Sequence, residues 1–401
     1  MHAGRQRNHC ANAHGLRGIC DAPLWEMTSL SGSQPGAEPG PPGLREHLAR
    51  LYPGATVVAI EPLGPDAGAT ASRGAGDASI KAAGYGLPVR VELRDGGTTR
   101  QLVWRVASAN EFGHDRRADR AAVMVQAFDD FARIPRHVQA VDLGVIRGRE
   151  LVSTREATEH YLLTTYAPGT IYALDLRRIA AERIATPSDV DRVDALARYL
   201  AALHTPIAPA GGRYRRAIRD LVGSGEGVFG IIDGYPAGVP GAPPERLAAI
   251  EARCADWRWR LRGCDARLTR THGDFHPFNI VFDGDAPTLL DASRGGCGDP
   301  ADDLTALAVN FVLFALDAPG AWRHGLGVLW RHLWPRYLAE RPDAELLAVA
   351  PPFLAWRALV VANPVFYPRM TGAARDKLLG FAEDVLEAHE LDPACAEELF
   401  R

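Results

Sequence analysis

The hydrophobic pattern of the chain changes character twice. Residues 1–43 carry no apolar periodicity and end in a run of Ser, Gly, Pro and Glu from Ser31 to Gly43, a composition that cannot offset the entropy of ordering. Disorder is expected there, with Met27 as an alternative start. From Leu44 to Tyr166 the signal is that of short strands. A helix around Leu48 and Leu51 leads into Thr56–Ile60, and a Gly/Ala/Ser-rich stretch covers 63–79. Val89-Arg90-Val91-Glu92-Leu93 then alternates apolar and polar with the period of a half-buried strand. Asp95-Gly96-Gly97 predicts a turn into Gln101–Val106, in which Leu102, Trp104 and Val106 share one face and Val103 and Arg105 the other. A helix is expected over residues 115–132, and Tyr161–Tyr166 reads as a strand closed by Ala167-Pro168-Gly169.

From residue 167 to 401 the period is helical. Thr186-Pro187-Ser188-Asp189 has the form of an N-cap with Pro at the first helical position, and Val190, Val193, Ala197, Leu200 and Leu203 follow at helical spacing. Residues 244–262, 304–316, 322–338, 346–361 and 375–390 continue the series. Arg213, Arg215, Arg216 and Arg219 read as a solvated basic helix face or as a substrate loop.

The helical series is interrupted at residues 271–291. The apolar runs Ile280–Phe282 and Thr288–Leu290 flank Asp283-Gly284-Asp285-Ala286-Pro287, which predicts a hairpin with a five-residue loop and puts Asn279 opposite Asp291. Directly opposed residues have Cβ atoms about 4.5–5.5 Å apart, close enough for an amide oxygen and a carboxylate to share one hard cation. Asp274 precedes Asn279 by five residues, on a turn too irregular for a strand. A carboxylate there can take a proton from a hydroxyl while a cation neutralises phosphates, so the spacing suggests phosphoryl transfer.

With His272-Gly273-Asp274, Pro277, Asn279, Leu290-Asp291 and the run from Gly298-Asp299-Pro300 to Asp303-Leu304, the chain resembles the aminoglycoside phosphotransferase and choline kinase-like superfamily. The resemblance extends more weakly over residues 45–390. It implies an α+β, bilobal, protein-kinase-like fold, with a small antiparallel-sheet lobe over 44–166 that binds the nucleotide and a larger, mostly helical lobe over 167–401. The catalytic loop would span 271–304, followed by a substrate-binding helical subdomain. By position, Asp274 would be the catalytic base, Asn279 and Asp291 would hold Mg²⁺, Asp303 would be a buried brace, and His272 would pack the loop. Arg105 stands where the phosphate-binding lysine of such kinases stands, with Asp119 as its acidic partner. Gly84 and Gly86 would cover the phosphates of ATP, or of GTP, although no G-x-G-x-x-G is present. Trp356, Phe366, Tyr367 and Arg369 are candidates for the acceptor pocket.

Other readings of the same residues stay open. His272, Asp274 and His276 alternate as three metal ligands on a strand face would, which suggests a metal-dependent hydrolase. The segment is also compatible with a tight polar turn and an ordinary hairpin, or with a silent nucleotide- or partner-binding module. Composition narrows the classes. With 45 Lys and Arg against 49 Asp and Glu, the net charge of −4 offers no basic field for nucleic acid. No apolar run approaches a bilayer span, so no membrane is expected and a cytoplasmic location is. The six cysteines include no Cys-x-x-Cys pair and are expected to be reduced. The expected partner is a small-molecule hydroxyl acceptor. Its identity and the oligomeric state are not legible.

Overall fold

The computed structural model describes residues 39–62, 88–208, 212–292, 294 and 296–401. The expectations for residues 1–38 and 63–87, Gly84 and Gly86 among them, lie outside the described residues. The chain divides into two compact units, Met1–Tyr161 and Leu162–Arg401.

The first unit opens with α1 (Leu44–Leu51) and an antiparallel sheet in the order β1 (Thr56–Pro62), β2 (Val89–Asp95), β3 (Thr98–Trp104). The alternation read in β2 sets its burial, since Val89, Val91 and Leu93 point into a core with Leu44, Leu48 and Ile60. The β2–β3 ladder closes at Asp95 and Thr98 around Gly96 and Gly97, both at positive φ. Arg105 therefore lies one residue beyond β3. Next come α2 (Arg117–Asp130) and a hairpin of β4 (Gly144–Arg147) and β5 (Glu150–Ser153). Tyr161–Tyr166 is not a strand. Tyr161, Leu162, Leu163 and Tyr166 are exposed, because an apolar run becomes a strand only where a neighbour supplies the ladder, and pairing resumes only at Thr170.

The second unit holds a sheet in the order β6 (Thr170–Ile171), β7 (Ile280–Asp283), β8 (Ala286–Leu289). Gly169 is required where β6 begins. Its φ is 123°, and a Cβ there would fall 2.3 Å from the carbonyl oxygen of Phe282. Helices α3 (Ala173–Glu182), α4 (Pro187–Leu203), α5 (Arg213–Gly223), α6 (Val228–Asp233) and α7 (Pro244–Leu261) precede the hairpin. After it come α8 (Pro300–Asp317), α9 (Gly327–Glu340), α10 (Leu346–Val349), α11 (Pro351–Ala362) and α12 (Gly372–Glu387). Two segments read as single helices are divided. A π-helical turn over Trp322–Leu326, with Gly325 at non-helical φ and ψ, precedes α9, and Pro351 separates α10 from α11. Among the described residues no helix is long and apolar enough to cross a membrane.

The N-terminus of α4 is built by its sequence signature. Asp189, 3% exposed, accepts hydrogen bonds from the Thr186 N–H and hydroxyl, each 2.7 Å, and pairs with Arg178. Asp189→Ala leaves these donors unmatched and is expected to lower stability by about 1–3 kcal/mol in urea unfolding. An unchanged midpoint would show that Asp189 does not secure the helix start.

Candidate active site

The site is built on the loop before β7 and on the start of α8. Thr269 bridges to both Pro206 and Gly298, which ties the incoming strand to the segment leading into α8. Gly273 then takes φ 81°, a left-handed conformation that glycine adopts without a Cβ penalty. That turn aims two successive N–H groups at one carboxylate. Asp303 accepts from His272 N–H at 2.7 Å and from Gly273 N–H at 2.8 Å. Asp303 is fully buried, and its Oδ2 also meets His204 Nε2 at 3.1 Å, while His204 Nδ1 meets the Tyr337 hydroxyl at 2.7 Å. Burial pushes the Asp303 carboxyl up, but the hydrogen bond and charge of His204 and the two N–H donors outweigh it and hold the group below the usual carboxylate range. The adjacent Asp302 goes the other way, raised by burial against the attraction of Arg357.

His272 is held in one tautomer. The Leu290 carbonyl can only accept, so Nε2 donates to it at 2.9 Å, and Nδ1 accepts from Asp274 N–H at 3.2 Å. Both ring nitrogens are thereby spent, which removes His272 from the ligand set a metal hydrolase would need. His276 Nδ1 accepts from Phe278 N–H, leaving Nε2 to face Asp274 Oδ2 at 3.4 Å.

Asp274 is largely buried and carries two arginines on a single oxygen. Arg294 Nη2 and Arg357 Nη1 both donate to Oδ1, the latter at 3.0 Å. The same guanidinium groups donate to the Gly273 carbonyl, from Arg294 Nε at 2.9 Å and Arg357 Nη2 at 3.0 Å. Burial raises the carboxyl, yet the His276 hydrogen bond and the charges of Arg357 and Arg294 dominate, so Asp274 lies below the ordinary carboxylate range and is ionised at neutral pH.

Asn279 closes a short 3-10 turn, Pro277–Asn279. Its Nδ2 donates to the Asp274 carbonyl at 3.1 Å and faces Oδ2 at 3.4 Å, so the oxygen is the atom this amide has to offer a cation. The expected pairing of Asn279 with Asp291 is corrected by one residue. The hairpin has a two-residue turn, Gly284-Asp285, closed by Asp283 and Ala286, because Gly284 supplies the positive φ such a turn needs. Ile280 therefore faces Leu289, and Asn279 receives the Leu290 N–H at 2.8 Å. Asp291 follows at φ 40°, an uncommon conformation for a residue with a side chain, and is exposed. The two hard oxygen donors still stand on adjacent strand ends, a donor set that suits Mg²⁺.

Arg105 and Asp119 belong to the other compact unit. Arg105 is exposed with its guanidinium 5.2 Å from the centre of the Phe131 ring, and Asp119 accepts the Arg116 N–H at 3.0 Å at the start of α2. The expected pair is thus replaced by a cation–π contact and a helix cap, since the shorter aspartate finds a backbone donor within its own first turn.

Sequence reasoning missed Arg294 and Arg357. A signal for Arg357 was present, because it is the single charge in Phe353-Leu354-Ala355-Trp356-Arg357-Ala358-Leu359, and a buried charge demands a partner. Of the residues proposed for the acceptor wall, Trp356 is buried beneath both arginines, with its Nε1 donating to the Glu226 carbonyl at 2.9 Å. Tyr367 is half-buried, its hydroxyl pushed up first by burial and then by the charge of Asp274. Phe366 and Arg369 are exposed.

A model of the "Phosphotransferase enzyme family" matches residues 90–342, more than half of the chain. Solved structures with similarity to the chain include a glucosamine kinase at 16% identity, covering 86% of this chain and 85% of that one with a TM-score of 0.40. Another is a thermostable mutant of aminoglycoside phosphotransferase APH(4)-Ia at 16% identity, covering 86% and 98% with a TM-score of 0.34. An ethanolamine kinase from Plasmodium vivax follows at 10% identity, covering 79% and 78% with a TM-score of 0.31. No curated protein matches the chain.

Proposed function

The chain belongs to the phosphotransferase enzyme family, and on that premise we propose that it is a Mg²⁺-dependent kinase moving the γ-phosphoryl group of ATP, or GTP, to a hydroxyl of a small molecule. The observation that carries this reading is an ionised, largely buried Asp274 on a rigid loop, with Asn279 at hydrogen-bond distance and Asp291 on the next strand end. Asp274 accepts the hydroxyl proton as the oxygen attacks phosphorus. Asn279 and Asp291 would hold magnesium, which when bound neutralises charge on the phosphates. Asp303 fixes the loop through two backbone N–H groups, and His272 ties it to Leu290, the residue before Asp291. Arg105 is assigned to the nucleotide phosphates. Transfer to an alcohol in line with the leaving nucleotide needs positioning more than covalent chemistry, which agrees with a carboxylate clamped by two guanidinium groups.

An aminoglycoside would require several convergent carboxylates. Among the acidic groups of the helical unit, Asp343 is instead paired with Arg267 and Arg341, and Glu340 with Arg336. Metabolite alcohols therefore stand beside antibiotics as acceptors. The test is nucleotide consumption in parallel with ATP and GTP against hydroxylated metabolites and antibiotics. Acceptor-dependent ADP or GDP release that requires magnesium is expected, and its absence across the panel would sink the reading.

A further inference from the structure

A carboxylate offers two oxygens and about four lone-pair directions, and at Asp274 these are divided unequally. Oδ1 accepts from two guanidinium groups. Among the described residues Oδ2 meets Asn279 Nδ2 and His276 Nε2, each at 3.4 Å, longer than an ordinary N–H···O bond of about 2.7–3.2 Å. The division is imposed from a distance. Arg357 stands on α11, 83 residues after Asp274, and its side chain is 5% exposed. Its guanidinium is locked at four points: Asp274 Oδ1, the Gly273 carbonyl, Asp302 Oδ1 at 2.5 Å, and the Trp356 ring, 3.9 Å from its centroid. Arg294 reaches the same oxygen but is more exposed, at 22%, and its ion pair with Glu226 spans 3.7 Å.

Building on the reading of Asp274 as proton acceptor, we propose that Arg357 is a positioning residue that fixes the Asp274 carboxylate plane so that Oδ2 receives the acceptor hydroxyl. A planar fork can hold a carboxylate oxygen and a backbone carbonyl in one plane, which a lysine cannot do. Asp302, at the start of α8, keeps the fork from rotating. Helix α11, which carries the acceptor-pocket candidate Trp356, thereby sets the direction in which the proton leaves the substrate. No bond to Arg357 changes in the reaction. Its effect is confined to the angle at which Oδ2 meets the incoming hydroxyl, where misplacement by about 1 Å costs on the order of 10²-fold.

The experiment uses the full chain with Mg-ATP and water as the acceptor, read as ADP release, so it does not wait for the natural acceptor. In Arg357→Lys, kcat is expected to fall about 10–10²-fold, while KM for Mg-ATP stays within about threefold. In Arg357→Ala, millimolar guanidinium is expected to restore most of the lost kcat, whereas methylammonium is not. If Arg357→Lys does not fold, Asp302→Asn takes its place, with a smaller fall in kcat expected at unchanged KM. The proposal is overturned if the tested variant keeps the parent kcat, if the loss appears in KM instead, or if it merely follows the fraction unfolded by circular dichroism. Asp274→Asn, run beside them, separates the two levels. A parent that releases no ADP either to water or to any acceptor of the panel above, or an Asp274→Asn variant with the parent rate, removes the premise, while an intact premise with an indifferent Arg357 removes only the positioning role.

Discussion

Asp274→Asn is expected to slow single-turnover phosphoryl transfer by about 10²–10⁴-fold while magnesium-dependent nucleotide affinity stays near that of the parent. The substitution is nearly isosteric, and Arg357 keeps its bonds to Asp302 and the Gly273 carbonyl, so the loop retains its shape. What disappears is the charge proposed to accept the proton. Asp291→Ala is expected to weaken both binding and transfer, because on the proposed mechanism it removes a cation ligand and with it the clamp on the transferring group. A hydrolase that used Asp274 as a metal ligand would instead lose its metal in Asp274→Asn. Nucleotide affinity with and without magnesium, measured beside transfer, distinguishes the two. Unchanged transfer in Asp274→Asn would refute the mechanism.

The second large effect belongs to stability. Asp303→Ala is expected to cost about 1–3 kcal/mol or more, because two N–H groups and His204 lose their acceptor inside the core. The pH dependence has a definite sign. The folded carboxyl lies below its unfolded value near 4, so its contribution is fully present above that value and is lost as pH falls through the folded value. Urea midpoints of the parent should therefore drop on acidification more steeply than those of Asp303→Ala. Parallel curves, or a variant as stable as the parent, would show that Asp303 does not brace the loop.

Much of this architecture is local and so was legible in the residues. Strand β2 announces itself by alternation, α4 by Thr186-Pro187-Ser188-Asp189, and the turn before Asp274 by Gly273, because each depends on neighbours a few residues apart. The same locality put Asn279 within hydrogen-bond distance of the Asp274 carbonyl, five residues earlier. Register was harder, since a five-residue and a two-residue loop both fit Asp283–Pro287, and only the observed ladder distinguishes them. The exposed run Tyr161–Tyr166 has strand-like composition and no strand, because composition cannot supply a pairing partner.

What the chain determined by itself was which chemical groups stand close in sequence. Tertiary structure decided which groups control them. In a single hydrogen-bonded chain His204 reaches Asp303 across 99 residues and Tyr337 across 133, and Arg357 reaches Asp274 across 83. No period of 2 or 3.6 records such distances. They follow from burial, which requires every charge in the core to find an opposite charge or a hydrogen-bond partner wherever in the chain one is available.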